Sequence, residues 1–258
     1  MRAMRTGKEK ISKGKLTEIR KLGAVRRFGI YKEEKISAIR TPEIKRSEAL
    51  ESIRCAWESF SVNNPLLVGK CYPLVFPLIK EIPYSSKNVE RFSIMLADFS
   101  EEWRFSFKAG LFLSTLMNNC KDSEFVIHTR HLTPSIDFLG LKNSRTIVVE
   151  GNAGVGLGLQ MKGGSILVKG GAGARAGAAM EGGCIIIKGN VAEEVGDSME
   201  GGVIRVEGNA GNWPGKAMKG GEIHISKRIS RRVIGMSGGK IYHKSKLIHP
   251  REGENENP

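Results

Sequence analysis

Three stretches of this 258-residue chain carry residue types that could do chemistry. Gly154-Val155-Gly156-Leu157-Gly158 has the glycine spacing of a loop that cradles a phosphate. His128-Thr129-Arg130-His131 offers two imidazoles to a metal. Lys227-Arg228-Ile229-Ser230-Arg231-Arg232 sets four cations in six residues, which suits an anion, an RNA backbone or an acidic partner, or only a solvated loop.

Each chemistry needs a setting. A dinucleotide loop requires a strand before it, a helix after it and an acidic residue about 20 positions on. Here the glycines recur at Gly173 and Gly177 and again at Gly211 and Gly215, with no helical pattern after any of them. They read as structural corners. On a strand, His128 and His131 face opposite sides, and no third ligand cluster is near, so a surface or hydrogen-bonding role is expected. Cys55, Cys71, Cys120 and Cys184 form no close pair, which argues against a disulfide framework, a zinc knuckle or an iron–sulfur cluster. Cys184 has no His or basic neighbour in its own unit to activate it as a nucleophile. The expectation is therefore no catalytic residue, no metal and no cofactor.

What positions these residues is a repeat. Gly151, Gly170, Gly189 and Gly208 stand 19 apart, as do Met161, Met180, Met199 and Met218. The last unit is one residue short and ends in Met236-Ser237-Gly238-Gly239. A fixed period of this size means stacked copies of one supersecondary unit. Stacking turns the sequence into columns. Ile147, Ile166, Ile185, Ile204, Ile223 and Ile241 make one inner ladder; Val149, Val168, Ile187, Val206 and Ile225 make a second, ending at His243. Alternation with polar residues makes each unit one half-buried strand, and the whole a parallel β-helix. Glu150, Lys169, Lys188 and Glu207 set opposite charges on neighbouring coils. The middle outward column reads Val148, Leu167, Ile186, then Arg205, His224, Tyr242. Its three aliphatics form an apolar patch that a helical domain or a partner is expected to cover. This column is the candidate interface. The 227–232 stretch is expected to bulge from the last full coil, with Lys227, Arg228, Arg231 and Arg232 as candidate anion or nucleic-acid contacts.

Before the repeat, residues 1–40 read as a basic arm. Residues 1–48 carry 15 Lys/Arg against 6 Asp/Glu, which accounts for most of the net +14. Residues 41–122 read as a small, mainly helical domain. Thr41-Pro42 is expected to open its first helix, which runs past Trp57 to a stop at Asn63-Asn64-Pro65. Residues 66–84 are broken by Pro73, Pro77 and Pro83 into short extended pieces or turns. A second helix is expected over Asn88–Ala97 and a third from a Ser100 cap to Met117, with Trp103, Phe107 and Leu111 on one face. Glu124–Thr129 reads as a strand. Residues 130–145 read as a degenerate first turn, with Gly140-Leu141-Lys142-Asn143 echoing Met-Lys-Gly-Gly. The β-helix spans 123–244, in five to six coils, and 245–258 read as a polar tail. The class is α+β. No apolar run is long enough to span a bilayer, and cysteine usage points to a reducing, cytoplasmic setting.

The units Val-Glu-Gly-Asn-Ala-Gly at 149–154 and 206–211, Ala-Met-Lys-Gly-Gly at 217–221 and Gly-Met-Ser-Gly-Gly-Lys-Ile at 235–241 resemble the GXGXG-motif family. That family comprises the C-terminal domain of the glutamate synthase large subunit and the β-helix subunit of formylmethanofuran dehydrogenase. Gly208-Asn209-Ala210-Gly211-Asn212-Trp213 looks closer to the latter. The resemblance covers residues 124–244 and implies a right-handed parallel β-helix. It also implies a non-catalytic scaffold or accessory subunit that packs partner oxidoreductase subunits, or copies of itself, while the redox centres lie elsewhere. The alternatives are a glutamate synthase-like protein, and a nucleic-acid-binding protein using the basic arm and the 227–232 loop.

Overall fold

Seven short strands stack in sequence order, each pairing in parallel with the next, as a 19-residue repeat of half-buried strands requires. They are β1 (Glu124–His128), β2 (Thr146–Glu150), β3 (Ser165–Val168), β4 (Cys184–Ile187), β5 (Val203–Val206), β6 (Glu222–Ile225) and β7 (Lys240–His243). The computed structural model describes residues 47–62, 68–230 and 235–249. The strands form a parallel β-solenoid of about six turns. The register is that of the columns: Ile147 opposes Ile166, which opposes Ile185, and so on to Ile241. Phe125 and Ile127 extend both inner columns back by one coil. A second wall is made by single bridges linking Ala153, Ala172, Val191, Ala210 and Ile229.

The core of each coil is an interlock. The isoleucine ladder and Met161, Met180, Met199 and Met218 are buried. Facing them is a column of glycines with positive φ: Gly140, Gly158, Gly177, Gly196 and Gly215. A Cβ added at Gly177 would lie 2.3 Å from Ile204 Cδ1, and one at Gly158 would lie 2.7 Å from Ile185 Cδ1. Residues two before and two after share the left-handed backbone without being glycine, as at Arg175 and Ala179 or Trp213 and Ala217. The middle glycine is thus demanded by space as well as by φ. This alignment also corrects the first turn. Gly140 is the counterpart of Gly158, since Gly158 N–H donates to Leu139 O as Gly177 N–H donates to Leu157 O. Asn143, fully buried, takes the place of the methionine and bonds its own turn at Arg145 N and O.

The helical region closes the N-terminal end of the stack. Helix α1 (Glu48–Ser59) is capped by Ser47, whose side chain accepts from Leu50 N–H, and it buries Leu50, Ile53, Ala56 and Trp57. Thr41, Pro42 and Asn63–Pro65, expected at its ends, lie outside the described residues, as do the arm and residues 250–258. The Pro-broken segment is helical rather than extended: α2 (Val68–Cys71), a 3-10 turn Tyr72–Leu74 and α3 (Phe76–Ile79). Pro73 and Pro77 sit in first turns, where a missing N–H costs nothing. Helix α4 (Ser86–Met95) runs into a 3-10 turn at Leu96–Phe99. Helix α5 (Phe105–Asn119) begins four residues later than expected, and Ser100 ends the preceding turn. Glu102 is held aside: its carboxylate accepts from Trp57 Nε1 at 3.1 Å and pairs with Lys108 at 2.8 Å. Trp103 consequently points to solvent, 81 % exposed. Helix α5 is buried almost all round, and a Cβ at Gly110 would overlap Asp137 O, so glycine lets the first coil seat against it. The helices and solenoid share one hydrophobic core.

At the other end the chain reverses. Residues 246–249, expected in the polar tail, form β8 (Lys246–His249), antiparallel to β7 through a turn with positive φ at both Lys244 and Ser245. That is the geometry of a type I′ hairpin.

The interlock predicts a coupled pair of substitutions. Gly177→Ala should destabilise by about 2 kcal/mol or more, from left-handed strain plus the clash with Ile204. Adding Ile204→Val removes the clashing methyl, so the double variant should fall short of additivity by about 1 kcal/mol in urea unfolding. Strict additivity would show that the δ-methyl does not set the glycine requirement.

Candidate functional site

The glycine-rich stretch has no donors free for a phosphate at the positions that would count. Gly154 N–H donates to Ile136 O, Val155 N–H to Asp137 Oδ1, Gly156 N–H to Ala174 O and Gly158 N–H to Leu139 O, all within 2.9 Å. The stretch is a corner stitched to the coils on either side.

The two histidines bond helix α4. His128 Nε2 lies 3.1 Å from Glu90 Oε1, its backbone N–H donates to Ser93 Oγ, and His131 Nε2 meets Ile94 O at 3.1 Å. Strand β1 ends at His128, so the chain turns and both rings reach the same helix. Among the described residues no group of three or more His, Cys, Asp or Glu is placed to hold a metal ion. No described helix is long and apolar enough to cross a membrane.

The outward column runs unbroken along the sheet. Val148, Leu167 and Ile186 are half-buried, and Val126 of β1 stands in register with them. The alternation of 124–129 carries that fourth member, which sequence reasoning did not include. Helix α4 packs against β1 at the end of the stack. Farther along, Arg205 is exposed, and His224 and Tyr242 stack with centroids 4.6 Å apart and planes 9° apart. His224 Nε2 also meets Glu222 Oε2 at 3.0 Å. Beside the column the charges neutralise one another across coils: Glu150 pairs with Lys169 at 2.5 Å, and Lys188 with Glu207. The hydrogen bond from Lys169 holds the Glu150 carboxyl below the usual range. Arg205 Nη1 lies 3.9 Å from Cys184 Sγ, a basic neighbour contributed by the next coil.

At the opposite corner Arg175 pairs with Asp197 at 2.6 Å and Glu194 with Lys216 at 2.6 Å, a balanced quartet spanning three coils. The expected bulge at 227–232 is, over its described residues 227–230, a regular rung. Arg228 N–H donates to Asn209 Oδ1, and Ile229 bridges Ala210. Lys227 and Arg228 project to solvent without an ion-pair partner among the described residues, while Arg231 and Arg232 lie outside them.

Burial raises the pKa of Asp137, the carboxylate that receives Val155 N–H. The folded chain therefore holds that proton more tightly than the unfolded one. Its contribution is full below the ordinary carboxylate range and is lost as pH rises through the raised value. Asp137→Asn keeps the acceptor and removes the charge. Its melting temperature should gain on the wild type as pH rises from about 3 to 7, with the two converging in acid. A constant difference across that range would refute the assignment.

No protein-family model matches this chain, and no curated protein matches it in sequence.

Proposed function

We propose that this chain is a non-catalytic scaffold or accessory subunit, docking through the outer face of its solenoid onto partner oxidoreductase subunits. The observation that carries the reading is the outward column. Val148, Leu167 and Ile186 present a continuous apolar strip, while the charges beside them are already paired within the chain. A strip bordered by self-neutralised charges can be desolvated by a partner with little electrostatic cost. Three rungs about 4.8 Å apart are too few for the roughly 800 Å² that each side of a stable interface buries. The contact therefore extends along the column to Arg205, His224 and Tyr242, whose ring pair and guanidinium are of the types that anchor interfaces. The resemblance to the β-helix subunit of formylmethanofuran dehydrogenase supplies the class of partner. Tagged protein isolated from the cells that make it should carry oxidoreductase subunits at fixed stoichiometry. The double variant Leu167→Glu, Ile186→Lys, which sets opposite charges on the paired rungs, should lose them at least tenfold while keeping its fold by circular dichroism. Recovery of the wild type as a free protein alone would sink the reading.

A second reading is nucleic-acid binding through residues 2–46 and the 227–232 stretch, favoured by Lys227 and Arg228, exposed and without an ion-pair partner among the described residues. RNA or DNA should then be retained at about 50 mM salt and released steeply as salt rises. Absence of retention at that salt excludes it.

A further inference from the structure

Charge is not distributed evenly along the solenoid. Residues 146–222 hold seven Lys/Arg against eight Asp/Glu, whereas 223–249 hold seven against none. The break falls after Glu222, where cross-coil neutralisation stops. Beyond it the described cations stand on the last rung and on the hairpin that closes the stack, Lys240 on the outward face and Lys246 on the face of His243. His243 Nε2 bonds Lys227 O, and Lys244 N–H donates to Ile225 O, so the basic rung lies against the β7–β8 hairpin. The hairpin pairs His243 with Lys246 and places Tyr242 beside Leu247. Lys227, Arg228, Lys240, Lys244 and Lys246 are all exposed, and none makes an ion pair with a described residue. Lys240 and Tyr242 alternate along β7, roughly 6.6 Å apart, and Lys244 follows in the turn.

We infer that the closing end of the solenoid, Lys227 and Arg228 together with the β7–β8 hairpin, is a binding surface for the phosphodiester backbone of a nucleic acid. This rests on the second reading above and relocates its centre from a loop to a built surface. The cations are mostly lysines, point charges that suit phosphates without fixing a base, so the recognition is independent of sequence. An acidic protein face would meet the same charge, but the patch offers it little apolar ground beyond Leu247 and Tyr242. A bilayer surface would want more of the same. A flexible polyanion needs neither.

The test uses the full chain, a fluorescein-labelled 20-mer of oligouridylate and fluorescence anisotropy from about 50 to 300 mM salt. The variant is Lys227→Ala, Arg228→Ala, Lys244→Ala, Lys246→Ala, with its fold checked by circular dichroism and melting temperature. It should bind at least tenfold more weakly at low salt, with a log–log salt slope shallower by about 3, the value for four single-strand phosphate contacts. A variant that matches the wild type in affinity and slope overturns the inference while leaving the arm as the nucleic-acid contact. A wild type that does not bind at all overturns the second reading with it. Equal affinity for polyglutamate, or for phosphatidylglycerol vesicles, overturns the choice of nucleic acid.

Discussion

An isoleucine δ-methyl occupies the space where each corner glycine would carry a Cβ. That contact recurs at Gly140, Gly158, Gly177, Gly196 and Gly215 against Ile166, Ile185, Ile204, Ile223 and Ile241. It fixes the cross-section of the coil, because the corner can approach the ladder only if it has no side chain. It also fixes the stacking, because the methyl filling each space comes from a neighbouring coil. Every further feature of the outer surface depends on it. Once Ile and Gly are locked inward, the alternating residues of each strand must point outward, in columns whose members are set by the period.

A solenoid built this way has two unfinished ends, each a row of unpaired backbone groups and an open slice of core. The N-terminal end is closed with bulk. Helix α5 brings Phe107 onto Phe138 and Ser114 onto the backbone of the first coil, while Ser93 and Glu90 of α4 bind His128. Asp122 binds the start of α4, and the N–H of Ser86 that it receives keeps its carboxyl below the usual range. The C-terminal end is closed by a hairpin. Strand β8 is only four residues long, and it opens with a lysine, a combination that discourages a further strand from adding on.

How much of this was legible depended on whether the physics was periodic. The strands, both inner columns, the methionine column and the Glu150–Lys169 pairing could be aligned because five copies of one unit cancel local noise. The first turn could not: it is 18 residues from Gly140 to Gly158, which shifts the apparent echo of Met-Lys-Gly-Gly, and a polar Asn143 stands where the methionine would be. The start of α5 was obscured because Glu101 and Glu102 look like ordinary first-turn acids. Only the folded structure shows Glu102 spent on Trp57 and Lys108. The β7–β8 hairpin carries no Asn-Gly or Gly-Gly at its turn, so Lys244-Ser245 reads as tail. Arg205 beside Cys184 is invisible within one unit, because in a solenoid the nearest side chain belongs to the next.

The two faces that remain, the aliphatic strip on early coils and the lysine-rich closing end, answer to different constraints. The strip lies amid charges that cancel, so its contacts are governed by shape and apolar area. At the closing end Lys240 and Lys244 have no ion-pair partner among the described residues, and Lys240 stands in register with Glu222 of the preceding strand. Guarding an edge strand explains Lys246. It does not explain Lys227 and Arg228, which lie on the coil before the last strand, where Asn209 receives the backbone of Arg228 and leaves its side chain in solvent. Cations away from the edge, brought against the hairpin by the His243–Lys227 contact, point outward to a charge that the described residues do not supply.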